Sequence, residues 1–171
     1  AHGMQLVDVQ RVPTKAGSVR GFVRLADAPP KASSSVGRLI SLETELGLHS
    51  SEVFSALSAR IDDAKNRFVA LLQQIQAQRK TIAGYGASAA TTTLIYQFEF
   101  GEMLSFIVDD NPRRQNLFSP GLHIPVLAPE AIYEKDLEHL VILAWRHGQA
   151  IMEKHPAFKE KGGQFIVPLP E

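Results

Sequence analysis

The chain has 171 residues, 44% hydrophobic and 21% charged, with 18 basic side chains balanced by 18 acidic ones and no cysteine. Such a length suits one domain, or one domain with an N-terminal appendage, and the composition excludes disordered and coiled-coil extremes. The even charge balance gives no global field to gather nucleic acid or an anionic membrane, and the missing thiols exclude disulfides, thiolate nucleophiles and cysteine zinc sites, as suits a reducing cytoplasm.

Ala1-His2-Gly3-Met4 leads directly into an extended apolar pattern, with neither a secretory leader nor a helix cap, which predicts a piece of a longer protein. Residues 5–12 alternate Leu6, Val7, Val9 and Val12 with polar neighbours. A turn cluster, Pro13-Thr14-Lys15-Ala16-Gly17, separates them from a second strand over 18–25, so the two form a hairpin or a sheet edge. Residues 27–35 contain Pro29-Pro30 and Ser33-Ser34-Ser35 and read as a linker, with a boundary between 30 and 31.

A helix follows over about 36–46, stopped by Gly47. Ser50 or Ser51 can cap the next, whose apolar residues Phe54, Leu57, Ile61, Ala64, Phe68, Leu71 and Ile75 step by three and four. The seam fits a dimer helix or a helix laid on a core or on a partner domain, and its end at Gln78-Arg79-Lys80 favours the second. From Thr81 onward strands and helices alternate: strands at 81–83, 104–108, 124–127, 139–145 and 164–167, helices at 87–100, 129–134 and 146–161. Strands that are apolar throughout are those of a parallel sheet covered on both faces. The predicted class is α/β, a Rossmann-like doubly wound and mostly parallel sheet with helices on both faces, preceded by two strands and a long helix. No apolar run approaches the roughly 18 residues of a membrane span.

The segment Thr81-Ile82-Ala83-Gly84-Tyr85-Gly86-Ala87-Ser88-Ala89 runs from a strand through Gly-x-Gly-x-x-Ala into a helix. Such a turn lets backbone amides and a helix N-terminus approach a phosphate, although the same glycines also serve tight packing with no ligand. In dinucleotide-binding folds an acid about 20 residues on takes the ribose hydroxyls, and Asp109 and Asp110 stand near that place. Neighbouring residues on a strand point to opposite faces, so the two carboxylates are not a shared metal or base site, and one of them caps the loop. Ser88 and Thr91 add hydroxyls to the helix start, Thr92 and Thr93 read as back-bonded to the helix, and Arg113 and Arg114 are candidate diphosphate contacts. His123 and Trp145 lie near strand ends on the crevice rim, with Arg146 and His147 beside Trp145. His2, His49, His139 and His155 are expected in loops or on the surface, and no pair has zinc-motif spacing, so no metal is expected.

Five blocks in order, Gly84-Tyr85-Gly86-Ala87-Ser88-Ala89, Val108-Asp109-Asp110-Asn111-Pro112, Ser119-Pro120-Gly121-Leu122-His123-Ile124-Pro125-Val126, Leu143-Ala144-Trp145 and Gly162-Gly163-Gln164-Phe165-Ile166-Val167-Pro168-Leu169-Pro170, resemble the C-terminal domain of S-adenosylmethionine-dependent sugar C-methyltransferases. Val7-Asp8-Val9-Gln10-Arg11-Val12-Pro13 resembles the stretch joining that domain to the methyltransferase core. The family's His-Gly-Gly-Ser-Leu-Arg type run is here Lys15-Ala16-Gly17-Ser18-Val19-Arg20, without the histidine.

The resemblance implies that residues 1–30 join a missing upstream core to a Rossmann-like domain at 31–171. It implies further that S-adenosylmethionine is bound upstream and no cofactor here, and that the domain helps hold a nucleotide-diphosphate sugar in a cytoplasmic enzyme while being inactive alone. Its contacts would be Gly84, Tyr85, Gly86, Ala87, Ser88, Asn111, His123 and Trp145, with Ser18 and Arg20 from the N-terminal strands and no catalytic residue. The alternatives are a nicotinamide-dinucleotide domain of a dehydrogenase and a non-catalytic interaction module docking through the 54–75 helix.

Overall fold

The computed structural model describes residues 2–14, 17–26 and 33–169; Lys15 and Ala16, most of the expected linker with its boundary at 30/31, and Pro170 lie outside the described residues. By internal contacts the chain divides into two units, Ala1–Arg60 and Ile61–Glu171.

In the first unit, strands β1 (Met4–Val12) and β2 (Ser18–Leu25) pair antiparallel from Met4↔Leu25 to Val12↔Ser18, with an irregularity between Leu6 and Asp8. Helix α1 (Ser34–Glu45) is capped by Ser33, whose side chain accepts from the Ser35 amide. Its start is fastened to β1: the Ser35 hydroxyl donates to the Asp8 carboxylate and accepts from the Val9 amide at 3.0 Å, and the Ser33 amide donates to the Val7 carbonyl at 2.7 Å. The Ser35 hydrogen bond also holds the Asp8 carboxyl below its ordinary range.

Helix α2 (Ser51–Ala77) runs past the unit boundary. Phe54, Leu57 and Ile61 are exposed, whereas Phe68, Leu72 and Ile75 are buried. The expected seam used Leu71, but a helix meeting a core at 68 and 75 turns Leu72 inward at four-residue spacing, and Leu71 stays 42% exposed.

The second unit holds a six-stranded sheet. Its strands are β3 (Ile82–Tyr85), β4 (Ile107–Val108), β5 (Leu117–Phe118), β6 (Pro125–Leu127), β7 (His139–Ile142) and β8 (Gln164–Ile166). The spatial order is β5-β6-β4-β3-β7-β8, parallel throughout except β5, which pairs antiparallel with β6. The chain starts in the middle at β3, winds outward through β4 and β6, and returns to the other side of β3 as β7. That reversal is the switch point at which doubly wound sheets open a crevice.

Alternate residues of the strands feed two cores. On one face Ile82, Ile107, Val126 and Val141 pack with α2 and with Leu94, Ile95 and Phe98 of α3 (Ala89–Phe98). On the other, Ala83, Tyr85, Val108, Leu140 and Ile142 pack with Ala131 and Ile132 of α4 (Ala131–Glu134), Ile151 of α5 (Gly148–Lys154) and Phe158 of α6 (Pro156–Glu160). The expected α/β class, with helices on both faces, is what the structure has.

Several details differ from the sequence reading, among them the strand expected over 104–108, which is confined to Ile107–Val108. The helix expected over 146–161 is a 3-10 turn, Trp145–His147, followed by α5 and α6, broken at His155 because Pro156 lacks an N–H and keeps its predecessor out of the α region. The strand expected over 139–145 ends at Ile142, after which the chain bends and Ala144 donates to the Tyr85 carbonyl at 3.1 Å. Strand β5, with only two residues, had no periodicity to reveal it. Among the described residues, no helix is long and apolar enough to cross a membrane.

Leu72→Ala should cost about 2–5 kcal/mol in urea unfolding, and Leu71→Ala far less. Equal losses would mean that α2 faces the sheet through the other side of its seam.

Candidate functional site

The Gly84–Ala87 turn leaves the carboxyl end of β3, and its glycines answer first to packing. A Cβ on Gly84 would stand 2.4 Å from Leu143 Cδ1, and one on Gly86 2.7 Å from Ala144 Cβ. Gly86 also has φ +101°, a region that side chains disfavour. The missing side chains therefore let the segment after β7 close onto β3.

The turn's amides are largely used within the chain. Gly84 donates to the Phe106 carbonyl at 2.9 Å and Gly86 to that of Val108 at 2.7 Å, extending the ladder. Ala87 donates to the carboxylate of Asp109 at 2.7 Å. Ser88 caps α3, accepting from Thr91 at 3.3 Å, and the buried Thr91 hydroxyl donates to the Gly86 carbonyl at 2.5 Å. Thr92 and Thr93 bond back to the Ser88 and Ala89 carbonyls, as expected of mid-helix threonines. The remaining leading amides of α3, beginning at Ala89, are the donors that any helix N-terminus leaves over.

The two aspartates after β4 point to opposite faces. Asp109, 5% exposed, accepts from Ala87 and Arg114 through one oxygen and from the Asn111 amide, at 2.8 Å, through the other. Arg114 reaches it at 3.1 Å with its side chain 45% exposed. An acid so enclosed is not presented to ribose hydroxyls.

Asp110, on the other face, accepts from the Tyr85 hydroxyl at 2.9 Å and from the Lys154 ammonium. Burial alone would raise its carboxyl, but these two donors outweigh it and hold the group below the ordinary range. Burial, with Asp110 second, pushes the Tyr85 phenol far above its usual value. The His155 imidazole lies 3.2 Å from the Tyr85 hydroxyl and 2.9 Å from that of Tyr133.

His155 and His139 were expected at the surface and are instead 5% and 4% exposed. His139 begins a strand whose residues are all buried, and His155 sits beneath two tyrosine rings at the proline break. Burial lowers both imidazoles, helped by Lys80 for His139 and by Lys154 for His155. The Pro156 signal was visible in the sequence; the tyrosines that cover His155 come from distant strands and helices.

On the Asp109 side a cleft of about 90 Å³ opens between α3 and the β5–β6 connection, lined among others by Ala87, Thr92, Tyr96, Arg114, Phe118 and Leu122. Of the contacts expected from the resemblance only Ala87 lines it, joined by Arg114 of the two candidate diphosphate contacts. Asn111 lies outside, its side chain accepting from the Arg113 amide at 3.0 Å. His123 is exposed, left-handed at φ 52°, with its ring edge-on to Phe118. Trp145 is half-buried against the α2–α3 core with Arg146 over its ring. Ser18 and Arg20 belong to the N-terminal unit: Ser18 donates to the Thr14 carbonyl at 2.9 Å, and Arg20 is exposed opposite Gln10.

Together these features define a Rossmann-like domain with a glycine turn at its switch point and a ring-sized cleft beside it. Residues 13–170 match the family described as the C-methyltransferase C-terminal domain, and the chain belongs to that family. It is also 28% identical, over 172 aligned residues, to the C-methyltransferase NovU of Streptomyces niveus, an alignment covering 100% of this chain and 41% of that protein. The chain thus spans less than half the length of this curated relative.

Gly86→Ala should cost roughly 1–3 kcal/mol through the Ala144 contact. Asp109→Ala should cost about 2–4 kcal/mol, since it strands two backbone amides, with the half-exposed Arg114 adding little. Chemical denaturation of both variants checks this, and a neutral Asp109→Ala would show that the turn stands without its carboxylate.

Proposed function

We propose that this domain helps bind the nucleotide-diphosphate sugar of an S-adenosylmethionine-dependent C-methyltransferase of the cytoplasm. The methyl donor, and the base that removes a proton beside the sugar ketone, belong in this reading to a methyltransferase domain upstream in the same protein. This chain alone binds without methylating.

The observation that carries the reading is the cleft that begins at Ala87, at the carboxyl ends of the strands where open α/β sheets collect ligands. Its walls, Tyr96, Phe118 and Leu122, suit the flat face of a base or a sugar ring. Arg114 spends one nitrogen on Asp109 and has further N–H groups for a diphosphate, as have the leading amides of α3. Ala87 brings the end of the Gly84-Tyr85-Gly86-Ala87-Ser88 turn to the cleft, and Asn111, His123 and Trp145, which do not line it, are further candidates for ligand contact. The use of the turn's other amides within the chain narrows the anion's partners to these groups. Ser18 and Arg20 are not needed for it.

Adding thymidine-diphosphate glucose to this chain should raise its melting temperature and shift the amide resonances of Ala87 and Phe118, while NAD should do neither. Phe118→Ala should weaken the sugar nucleotide roughly five- to tenfold. Tighter binding of NAD, or no response to any nucleotide, would end this reading, the second outcome in favour of a non-catalytic interaction module.

A further inference from the structure

On the face of the sheet away from the cleft, a chain of hydrogen bonds reaches the middle residue of the glycine turn. The Tyr85 hydroxyl has one proton, and the acceptor-only carboxylate of Asp110, 2.9 Å away, takes it. His155 Nε2, 3.2 Å from the same oxygen, can then bond it only as a donor. That leaves His155 Nδ1 as an acceptor, with the Tyr133 hydroxyl 2.9 Å away to fill it. One neutral tautomer of His155 therefore completes a one-way chain, Tyr133 to His155 to Tyr85 to Asp110, closed at its end by Lys154.

The chain starts on α4, crosses the break between α5 and α6 and ends after β4, so it ties three parts of the fold to the last residue of β3. From the opposite face Asp109 holds the same turn through Ala87. A side chain that moves Tyr85 moves the peptide between two glycines, where a Cβ would meet Leu143 at one and Ala144 at the other.

We propose that His155 is a positioning residue for the glycine turn, and that proton uptake by its imidazole reverses the bond to Tyr133 and turns its donation to Tyr85 into a stronger, charge-assisted one, changing the conformation of Gly84–Gly86. A second proton turns Nδ1 from acceptor into donor, so the Tyr133 hydroxyl must rotate, and it places a cation under two aromatic rings. The charged groups around it divide: Lys154 on α5 opposes the cation, as does Lys161 after α6, 5.7 Å over the Tyr133 ring, while Asp110 after β4 and Glu130 at the head of α4 favour it. Burial is the largest influence and lowers the imidazole below 6.5. The unfolded chain therefore takes up this proton first. The stability His155 contributes is whole above that value and is lost as pH falls through the lower folded one.

This response of the turn is independent of what the turn binds. In ¹⁵N-labelled protein titrated from about pH 8 to about pH 5, the amides of Gly84 and Gly86 should move with the same midpoint as the His155 ring protons. Tyr85→Phe should leave the ring titrating and flatten the glycine response. His155→Gln, which keeps a donor and an acceptor but does not titrate, should preserve the neutral-pH positions of both glycines and abolish the midpoint. Glycine amides that stay flat while His155 titrates would overturn the proposal, as would an unchanged midpoint in His155→Gln. The wild-type titration decides the matter even if a variant fails to fold.

Discussion

Two adjacent carboxylates at the end of β4 hold the turn from opposite sides, Asp109 by the Ala87 amide and Asp110 by the Tyr85 hydroxyl. Neighbouring side chains of an extended segment diverge, so a pair of acids that together would repel serves instead as a clamp with one jaw in each layer of helices. Each acid is itself satisfied by a cation, Arg114 or Lys154. The buried jaw needs its partners more, because a desolvated carboxylate without donors is far costlier than a half-exposed one.

That clamp changes what the glycine motif can be used for. Motifs of this spacing leave backbone N–H groups free for phosphate, whereas here the protein provides its own anion at Ala87. Under the proposed function, recognition of a ligand shifts sideways, to the cleft under the β5–β6 connection and to the Arg114 guanidinium beside it. The chain belongs to the C-methyltransferase C-terminal domain family, and the acid that in dinucleotide-binding folds contacts a ribose is enclosed in it.

Much of the architecture was legible because it rests on local pattern. Apolar runs as short as Leu140 to Ile142 between turn signals suit central strands, and the change from helical to strand spacing near Thr81 marks where the sheet begins. The opposed directions of Asp109 and Asp110, and the capping role of one of them, also followed from strand geometry. Depth was what the pattern hid. His155 is flanked by Lys154 and Pro156 and looks like a surface histidine, yet Tyr85 and Tyr133, 70 and 22 positions away, bury it. Which aspartate would turn inward depended on Arg114 and Ala87 meeting across the sheet end. The cleft could not be foreseen because β5, with two residues, leaves no periodic trace.

The sheet closes at both margins with very little ladder, two residues of β5 on one side and three of β8, followed by Pro168, on the other. A parallel sheet as apolar as this one would be an efficient template for pairing with neighbouring molecules if its flanks were long and straight. Brevity at the margins, with an antiparallel reversal at one and a residue lacking an N–H soon after the other, offers an incoming strand too few bonds to repay its ordering. The same economy leaves so oily a centre with little edge on which copies of the protein could pair.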